Sequence, residues 1–145
     1  MEAIKIKLVS DRYIPAYETP GASGMDIRAR LPGPVPIPPG GRALVPTGLR
    51  IELPVGYEAQ IRARSGLSVK HGLTLINAVG TVDSDYRGEI KVGLVNLGDE
   101  EYTISDGDRI AQMVIAEYAR AEFDIVDEIG PTERGEGGFG HTGKK

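Results

Sequence analysis

One aspartate lies where a hydrolytic enzyme could use it. Asp83 follows the apolar-flanked run AVGTV, and SDYRG then makes a turn before the next apolar strand. A carboxylate is ionised at neutral pH, so one held at a strand end can orient or deprotonate a water molecule as a general base. The alternative is that Asp83 and Asp85 are turn residues whose side chains cap the backbone. The local pattern alone leaves both interpretations open.

A second group of residues is suited to binding phosphate. Arg64 ends an alternating strand, and Ser65 and Gly66 then present a hydroxyl and bare backbone amides where a short helix begins. A guanidinium, a hydroxyl and free amides together match the oxygen atoms of a phosphate group. Any strand-to-helix junction could carry such residues, so this signal is weak by itself.

Two further polar positions stand in apolar surroundings. Asp26, in PGASGMDIRA, is either an acidic site residue or an outward-facing residue of a strand. Gln112 lies in the otherwise apolar stretch RIAQMVI. The neighbouring pair Asp108 and Arg109 is interpreted as a local ion pair of little energetic value.

The C-terminal stretch RGEGGFGHTG, residues 134–143, combines five glycines with one of the two phenylalanines of the chain. Glycine-rich ends are usually disordered, and an exposed Phe gains nothing in a disordered tail. Phe139 therefore needs a partner surface that this stretch does not contain.

Composition excludes several other kinds of site. The net charge of −4 offers no basic surface for duplex nucleic acid, so an anionic ligand needs a local arginine cluster or a metal ion. The absence of cysteine excludes disulfides, thiol catalysis and Cys-ligated zinc, and two histidines supply almost no material for a His-based triad. The N-terminus lacks a signal-peptide pattern and no apolar run reaches membrane-spanning length, so we expect a cytoplasmic protein that contacts no membrane.

The elements that must position these residues are predicted to be strands. A chain of 145 residues is expected to form one domain, and apolar residues alternate with polar ones in short runs bounded by Gly, Pro, Asp or Asn. The runs lie at 4–8, 25–29, 49–53, 57–63, 90–94, 109–118 and 123–125. Residues 31–41 are interpreted as an extended surface connection, and 65–73 as a short helix with a possible Ser cap and a closing Gly72. The prediction is an all-β sandwich or barrel.

Taken in order, PGASGMD, ARSGL, GTVDSDYRGE, GDRIAQMV and RGEGGFGHTG resemble the five motifs of the trimeric dUTPases. The resemblance covers about 120 residues and implies a distorted jelly-roll β-barrel that forms a homotrimer. It divides the chain into a β domain, residues 1–133, and a mobile arm, residues 134–145, that closes over a neighbouring subunit's active site. The implied reaction is Mg²⁺-dependent hydrolysis of dUTP to dUMP and pyrophosphate by water attack at the α-phosphorus, which keeps uracil out of DNA and supplies dUMP for thymidylate synthesis.

The resemblance also implies a role for each matching residue. Asp83 corresponds to the carboxylate that activates the attacking water, and Tyr86 to the aromatic packed against the deoxyribose. Asn77 begins the hairpin that pairs with uracil, and small residues such as Gly80 suit a backbone that closes tightly on the base. The phosphate contacts from another subunit are Arg64, Ser65, Gly66 and Gln112.

The acidic position and the arm complete this set. Asp26 matches an acidic residue linked to Mg²⁺ through water. Arg134 and Phe139 match the arm, where Arg reaches the phosphates and Phe covers the uracil, with Gly140 next to it. His141 departs from the family, many members of which have Ser there, and His71 has no matching role and is interpreted as a surface residue.

Two other functions remain open on the sequence. A dCTP deaminase of the same fold superfamily would need a Glu general base, and GTVDSDYRGE argues against it. A nucleotide-binding regulatory module without turnover would not need the water-activating Asp83 together with a full arm.

Overall fold

The computed structural model describes residues 1–145 and is almost entirely β-structure, as predicted. It contains ten strands and one short helix, α1, at Ser65–His71. The strands are β1 Lys7–Ser10, β2 Met25–Arg28, β3 Val35–Ile37, β4 Arg42–Glu52, β5 Tyr57–Arg62, β6 Leu73–Leu75, β7 Val79–Val82, β8 Ile90–Asn96, β9 Tyr102–Ile104 and β10 Arg109–Glu117. The helix is too short to cross a membrane, and no longer helix exists.

Two four-stranded sheets and a two-stranded sheet share one core. Their strand orders are β1-β4-β8-β6, β2-β10-β5-β7 and β3-β9, and every pair is antiparallel. The period-two alternation is confirmed in β8, where Ile90, Val92 and Leu94 are buried and the residues between them are more exposed. Burying one face of each strand removes apolar surface from water, which is the main stabilising term.

A β-bulge in β4 sets where β8 begins. The register of β4 against β8 shifts between Pro46 and Leu49, and Gly48 has a φ of 72°, which glycine adopts without strain. The buried Thr47 hydroxyl donates to the Ile90 carbonyl at 2.5 Å, so it satisfies an acceptor that the bulge would leave unpaired. The start of β8, directly after the DYRGE turn, is therefore fixed to β4.

Three of the sequence predictions are wrong in detail. The 31–41 segment is not only a surface connection, because it contains β3 and buries Leu31 and Ile37; Pro36 is tolerated there because β3 pairs with a single neighbour. No strand forms at 123–125, where Phe123 and Ile125 are exposed, because the single chain offers no partner strand to this segment.

The third error concerns α1. Arg64, not a serine, is its N-cap, and no side chain caps the helix start. Its end is as predicted, because Gly72 has a φ of 70° and its amide donates to the Ser68 carbonyl. His71 is exposed, as expected, with its ring 4.8 Å from that of Tyr102.

Candidate active site

A cleft of about 560 Å³ opens along β7, β8 and the turn between them. Four of the predicted site residues line it: Asn77, Gly80, Asp83 and Tyr86. They come from one continuous stretch of chain, residues 77–86, which runs through β7 into the turn before β8. The structure thus brings together the residues expected to read the base, the sugar and the attacking water.

The chain between β6 and β7, at the Asn77 end of the cleft, is held tightly. Ala78 has a φ of 62°, a left-handed conformation that costs a non-glycine residue about 1 kcal/mol, and the Val79 amide donates to the Asn77 carbonyl at 2.7 Å. Gly80 pairs with Ile61 of β5, and a Cβ at this position would lie 3.2 Å from the Ile61 Cβ. The small residue at 80 therefore lets β7 approach β5 closely, in addition to lining the cleft.

The Asp83 turn is fixed by hydrogen bonds within it. The Tyr86 amide donates to the Asp83 carbonyl at 3.2 Å, and Arg87 Nη1 donates to the Ser84 carbonyl at 2.7 Å. The Tyr86 hydroxyl donates to the Glu89 carbonyl at 2.9 Å, so the ring stands at the cleft wall with 45% of the residue exposed. The Asp83 side chain is exposed at the end of β7, where a ligand can reach it.

Three charged residues of the cleft were missed by the sequence reasoning. Arg50, Glu89 and Lys91 line the cleft beside the predicted residues, and Glu89 Oε2 is buried with no hydrogen-bond partner in the chain. The alternation of β8 could have indicated two of them. Residues 89 and 91 flank the buried Ile90, so their side chains share the opposite face of the strand.

A second cluster forms where β2, β10 and the end of β5 meet. Asp26 pairs with Gln112 in the β2–β10 register, and Gln112 Nε2 donates to the Ala63 carbonyl at 3.0 Å. Arg64 Nε lies 3.2 Å from Asp26 Oδ1, and Arg109 Nη1 lies 3.3 Å from Asp26 Oδ2. Ser65 and Gly66 are exposed in the first turn of the adjacent α1.

The partner of Arg109 differs from the prediction. Asp108 accepts the Ser105 amide at 2.8 Å instead of pairing with its neighbour, while Arg109 reaches Asp26 and lies 3.6 Å from Glu18. The side chain of a strand residue faces away from that of the next residue, so the two could not easily pair. Arg109 therefore joins the second cluster.

Within one chain Asp83 is far from the Arg64 cluster. β5 pairs with β7 so that Ala59 lies opposite Val82 and Arg62 opposite Val79. Asp83 therefore stands level with residue 58, and Arg64, two residues past the end of β5, lies six residues further along the chain, about 20 Å at the rise of a strand. Asp83 and the Arg64 cluster are therefore at opposite ends of the same pair of strands, whereas Asn77 and Gly80 line the cleft nearer the Arg64 end.

No residue of the C-terminal arm lines the cleft in the single chain. All hydrogen bonds of residues 132–143 stay inside that segment, among them the bond from Arg134 Nε to the Gly137 carbonyl at 2.7 Å. Phe139 is fully exposed, Gly140 has a φ of 83°, and a Cβ on Gly137 would collide with the His141 ring. The arm forms successive tight turns that its glycines permit.

Comparisons with known proteins agree with this geometry. The sequence model of the dUTPase family matches residues 11–143. The deoxyuridine 5'-triphosphate nucleotidohydrolase of Finegoldia magna is 56% identical over 142 residues, covering 97% of this chain and 99% of that protein. The protein of the same name from Bdellovibrio bacteriovorus is 52% identical over 144 residues, covering 98% and 97%.

A solved structure matches over nearly the whole length as well. A mutant dUTPase of Staphylococcus bacteriophage 80alpha with dUpNHpp has a TM-score of 0.86 and 26% identity, covering 99% of both chains. Its five motifs form the cleft, the cluster around Asp26 and Arg64, and the C-terminal arm, and the chain belongs to the dUTPase family.

Proposed function

We propose that this chain hydrolyses dUTP at a site shared between copies, with Asp83 as the general base. The overall reaction, dUTP to dUMP, is that of the family to which the chain belongs. The observation that carries the proposal is the placing of Asn77, Gly80, Asp83 and Tyr86 along one cleft. A cytoplasmic location goes with this substrate, since nucleoside triphosphates are made and used there.

Base recognition is assigned to the Asn77 end of the cleft. This end of the cleft is rigid because Ala78 holds a left-handed turn and Gly80 packs against Ile61. A buried methyl changes binding by only about 10- to 200-fold when it is merely accommodated, so thymine has to be excluded sterically by a backbone that does not yield. Cytosine presents a donor where uracil presents an acceptor, which leaves polar groups unpaired.

Sugar recognition is assigned to Tyr86. Its hydroxyl is tied to the Glu89 carbonyl, so the ring is held as a wall of the cleft. A deoxyribose packs against such a wall, and a 2′-hydroxyl would collide with it.

Asp83 performs the chemical step. Its exposed carboxylate orients a water molecule and takes one of its protons as the water oxygen attacks the α-phosphorus. A bond forms between the water oxygen and the α-phosphorus, the bond from the α-phosphorus to the α–β bridging oxygen breaks, and pyrophosphate leaves with the bonding pair. Positioning and charge neutralisation suffice for this step, and no covalent nucleophile is needed.

The phosphates must be held by a second copy of the chain. The β- and γ-phosphates extend only two P–O–P links from the α-phosphorus, which is too short to reach an Arg64 about 20 Å from Asp83. A neighbouring copy can supply Arg64, Ser65, Gly66 and Gln112. The closed trimer expected for the family makes three such sites equivalent.

The arm completes the shared site. Arg134 would reach the phosphates and Phe139 would stack on the uracil, with Gly140 turning the chain behind it. Stacking a base on an aromatic ring contributes about 1–3 kcal/mol, comparable with the entropy cost of ordering a few residues. Residues 134–145 thus act as an arm on the remaining chain, residues 1–133.

Mg²⁺ fits this site as a partner of the substrate. Both oxygens of Asp26 are already engaged by arginines, and no group of three or more acidic or histidine side chains could hold a metal ion by itself. Asp26 would therefore contact the ion through water. When bound to the triphosphate, Mg²⁺ supplies neutralisation of the phosphate oxygens.

One assay distinguishes this function from the two alternatives. Purified protein is incubated with dUTP and with dCTP, and pyrophosphate and ammonia are measured. We expect pyrophosphate from dUTP and no ammonia from dCTP. Ammonia release would indicate a deaminase, and the absence of both products a regulatory nucleotide-binding protein.

A further inference from the structure

Ser84, next to the candidate base, is in contact with a residue from outside the Asp83 turn. The Ser84 hydroxyl lies 3.4 Å from the hydroxyl of Tyr118, and both side chains are partly buried. This is the one side-chain hydrogen bond between the turn and another part of the chain. The others run within residues 84–89.

Tyr118 is itself well fixed. It follows directly after β10, and its amide donates to the Gly56 carbonyl at 3.0 Å, which extends the β5–β10 pairing by one position. Every residue after it is exposed up to position 136. Tyr118 is thus the last residue of the chain that the sheet holds, and it stands beside the turn that carries Asp83.

We propose that Tyr118 is a positioning residue for Asp83, acting through the Ser84 hydroxyl. Arg87 fixes the turn from one side by donating to the Ser84 and Tyr86 carbonyls at 2.7 and 3.3 Å. Tyr118 fixes it from the other side and ties it to β10. A general base has to stay within hydrogen-bond reach of its water, so a turn free to shift lowers the rate of attack.

The electrostatics of Tyr118 agree with this contact. Its pKa lies below the usual tyrosine value, chiefly because the Ser84 hydroxyl can donate to the phenolate, while the Gly56 backbone near the phenol group lowers it further and burial opposes both effects. The separation of 3.4 Å is long for a bond between two hydroxyls, so the contribution is expected to be modest.

The inference rests on the proposed role of Asp83 and is tested with single-hydroxyl deletions. Tyr118→Phe, Ser84→Ala and the double variant are compared with the unmodified protein. Tyr57→Phe is the matched control: the Tyr57 hydroxyl donates to Glu117 Oε1 at 3.1 Å, on the same two strands but without touching the turn. Thermal unfolding of each variant checks that it is folded.

The measurement is the single-turnover rate of dUTP hydrolysis, with kcat and KM. Tyr118→Phe and Ser84→Ala should each lower the single-turnover rate by about 2- to 10-fold, the effect of one hydrogen bond, with KM within twofold. The double variant should be no slower than the slower single variant, because both remove the same contact. Tyr57→Phe should leave rate and KM unchanged.

Three outcomes overturn the inference. They are a loss below twofold in either single variant, losses that multiply in the double variant, and an equal loss in Tyr57→Phe. If Tyr118→Phe fails to fold, Ser84→Ala decides alone by the same threshold. Asp83→Asn, measured in parallel, distinguishes failure of this inference from failure of the proposed function. An inactive Asp83→Asn variant together with a normal Tyr118→Phe variant rejects only the role of Tyr118. An active Asp83→Asn variant rejects Asp83 as the general base.

Discussion

Asp83 is exposed at the end of a strand, in a turn that is hydrogen-bonded on several sides. Asp26, in contrast, is engaged by two arginines and is only 16% exposed. A general base needs access to water and a fixed position, and Asp83 has both.

Replacing Asp83 with Asn removes the proposed proton acceptor and preserves the size of the side chain. We expect dUTP binding to change little and kcat to fall by about 10²–10⁴, the usual effect of losing a general base. Steady-state kinetics and binding of a non-hydrolysable dUTP analogue check this. A kcat close to that of the unmodified protein would exclude Asp83 from the role.

Tyr86 is expected to select the sugar through its ring. Tyr86→Ala should reduce the ratio of kcat/KM for dUTP to that for UTP, because the wall against a 2′-hydroxyl is gone. Tyr86→Phe is the matched variant: it retains the ring, loses only the bond to the Glu89 carbonyl, and should retain most of the selectivity. If Tyr86→Ala leaves the ratio unchanged, another residue selects the sugar.

At the scale of elements, β5, β7 and β10 carry both halves of the site at opposite ends. Gln112 lies near the start of β10 and Tyr118 just past its end, while Arg64 follows β5 and Asp83 follows β7. Strands in an antiparallel sheet are stiff along their length, so they hold the two half-sites at a fixed separation. A shift in one strand would therefore displace residues of both.

The loop between β9 and β10 is anchored by Asp106. Its carboxylate accepts the Leu31 amide at 2.9 Å, the Tyr13 hydroxyl at 2.9 Å and Arg12 Nη1 at 2.6 Å. These contacts lower the pKa of Asp106, chiefly through the Leu31 amide, against the opposing effect of burial. A carboxyl with a lowered pKa in the folded state stabilises the fold above its unfolded pKa, and this contribution is lost as pH falls through the folded pKa.

Asp106→Asn should therefore lower the denaturation midpoint at pH 7, and the difference from the unmodified protein should narrow as pH falls below about 4. Urea denaturation at several pH values measures it. Asp99→Asn, at an exposed aspartate without hydrogen bonds or ion pairs, is the control and should change little. A difference that stays constant down to pH 2 would contradict the linkage.

The sequence allowed the strands with one buried face to be predicted, because the alternation of apolar and polar residues is visible within each short segment. Leu49, Ile61 and Val92 are buried as their alternation indicates. It did not allow the pairing of distant residues to be predicted. Arg109 was assigned to its neighbour Asp108, whereas its side chain reaches Asp26 on the paired strand β2, two residues from its register partner Arg28.

The same limit applies to the cleft and to the C-terminal segment. Asp83 and Tyr86 came from a contiguous motif, but Glu89 and Lys91 enter the cleft only through the face on which β8 places them. The alternation at Phe123 and Ile125 predicts a strand, and a strand requires a partner that the single chain does not provide. Contacts between copies are beyond any argument from one sequence taken alone.

At the scale of the molecule, one chain contains every part of the site but not in one place. Asp83 is about 20 Å from Arg64 by strand register, and the arm contacts neither. Exposed apolar residues also persist along the C-terminal segment, including Phe123, Ile125 and Ile129. Such residues are stabilised only when another surface covers them, which a homotrimer would provide.

Two inactive variants test whether copies share a site. One is Asp83→Asn, and the other is a chain that ends at Thr132. Removing residues 133–145 should leave the fold intact, because no hydrogen bond joins residues beyond 132 to the strands. Each variant alone should be nearly inactive, the first lacking the base and the second lacking closure over the nucleotide.

Refolding the two variants together then distinguishes arms that act on a neighbour from arms that fold back on their own chain. In a mixed trimer a truncated chain supplies Asp83, and an Asp83→Asn chain supplies the arm. Random assortment in equal amounts gives about one site in four with both parts if the arm comes from one fixed neighbour. The dUTP hydrolysis rate should therefore recover to about a quarter of that of the unmodified protein, with the separately refolded variants as baseline. If each arm serves its own chain, no site holds both parts, and activity at the baseline in samples shown to contain mixed trimers would reject the shared site.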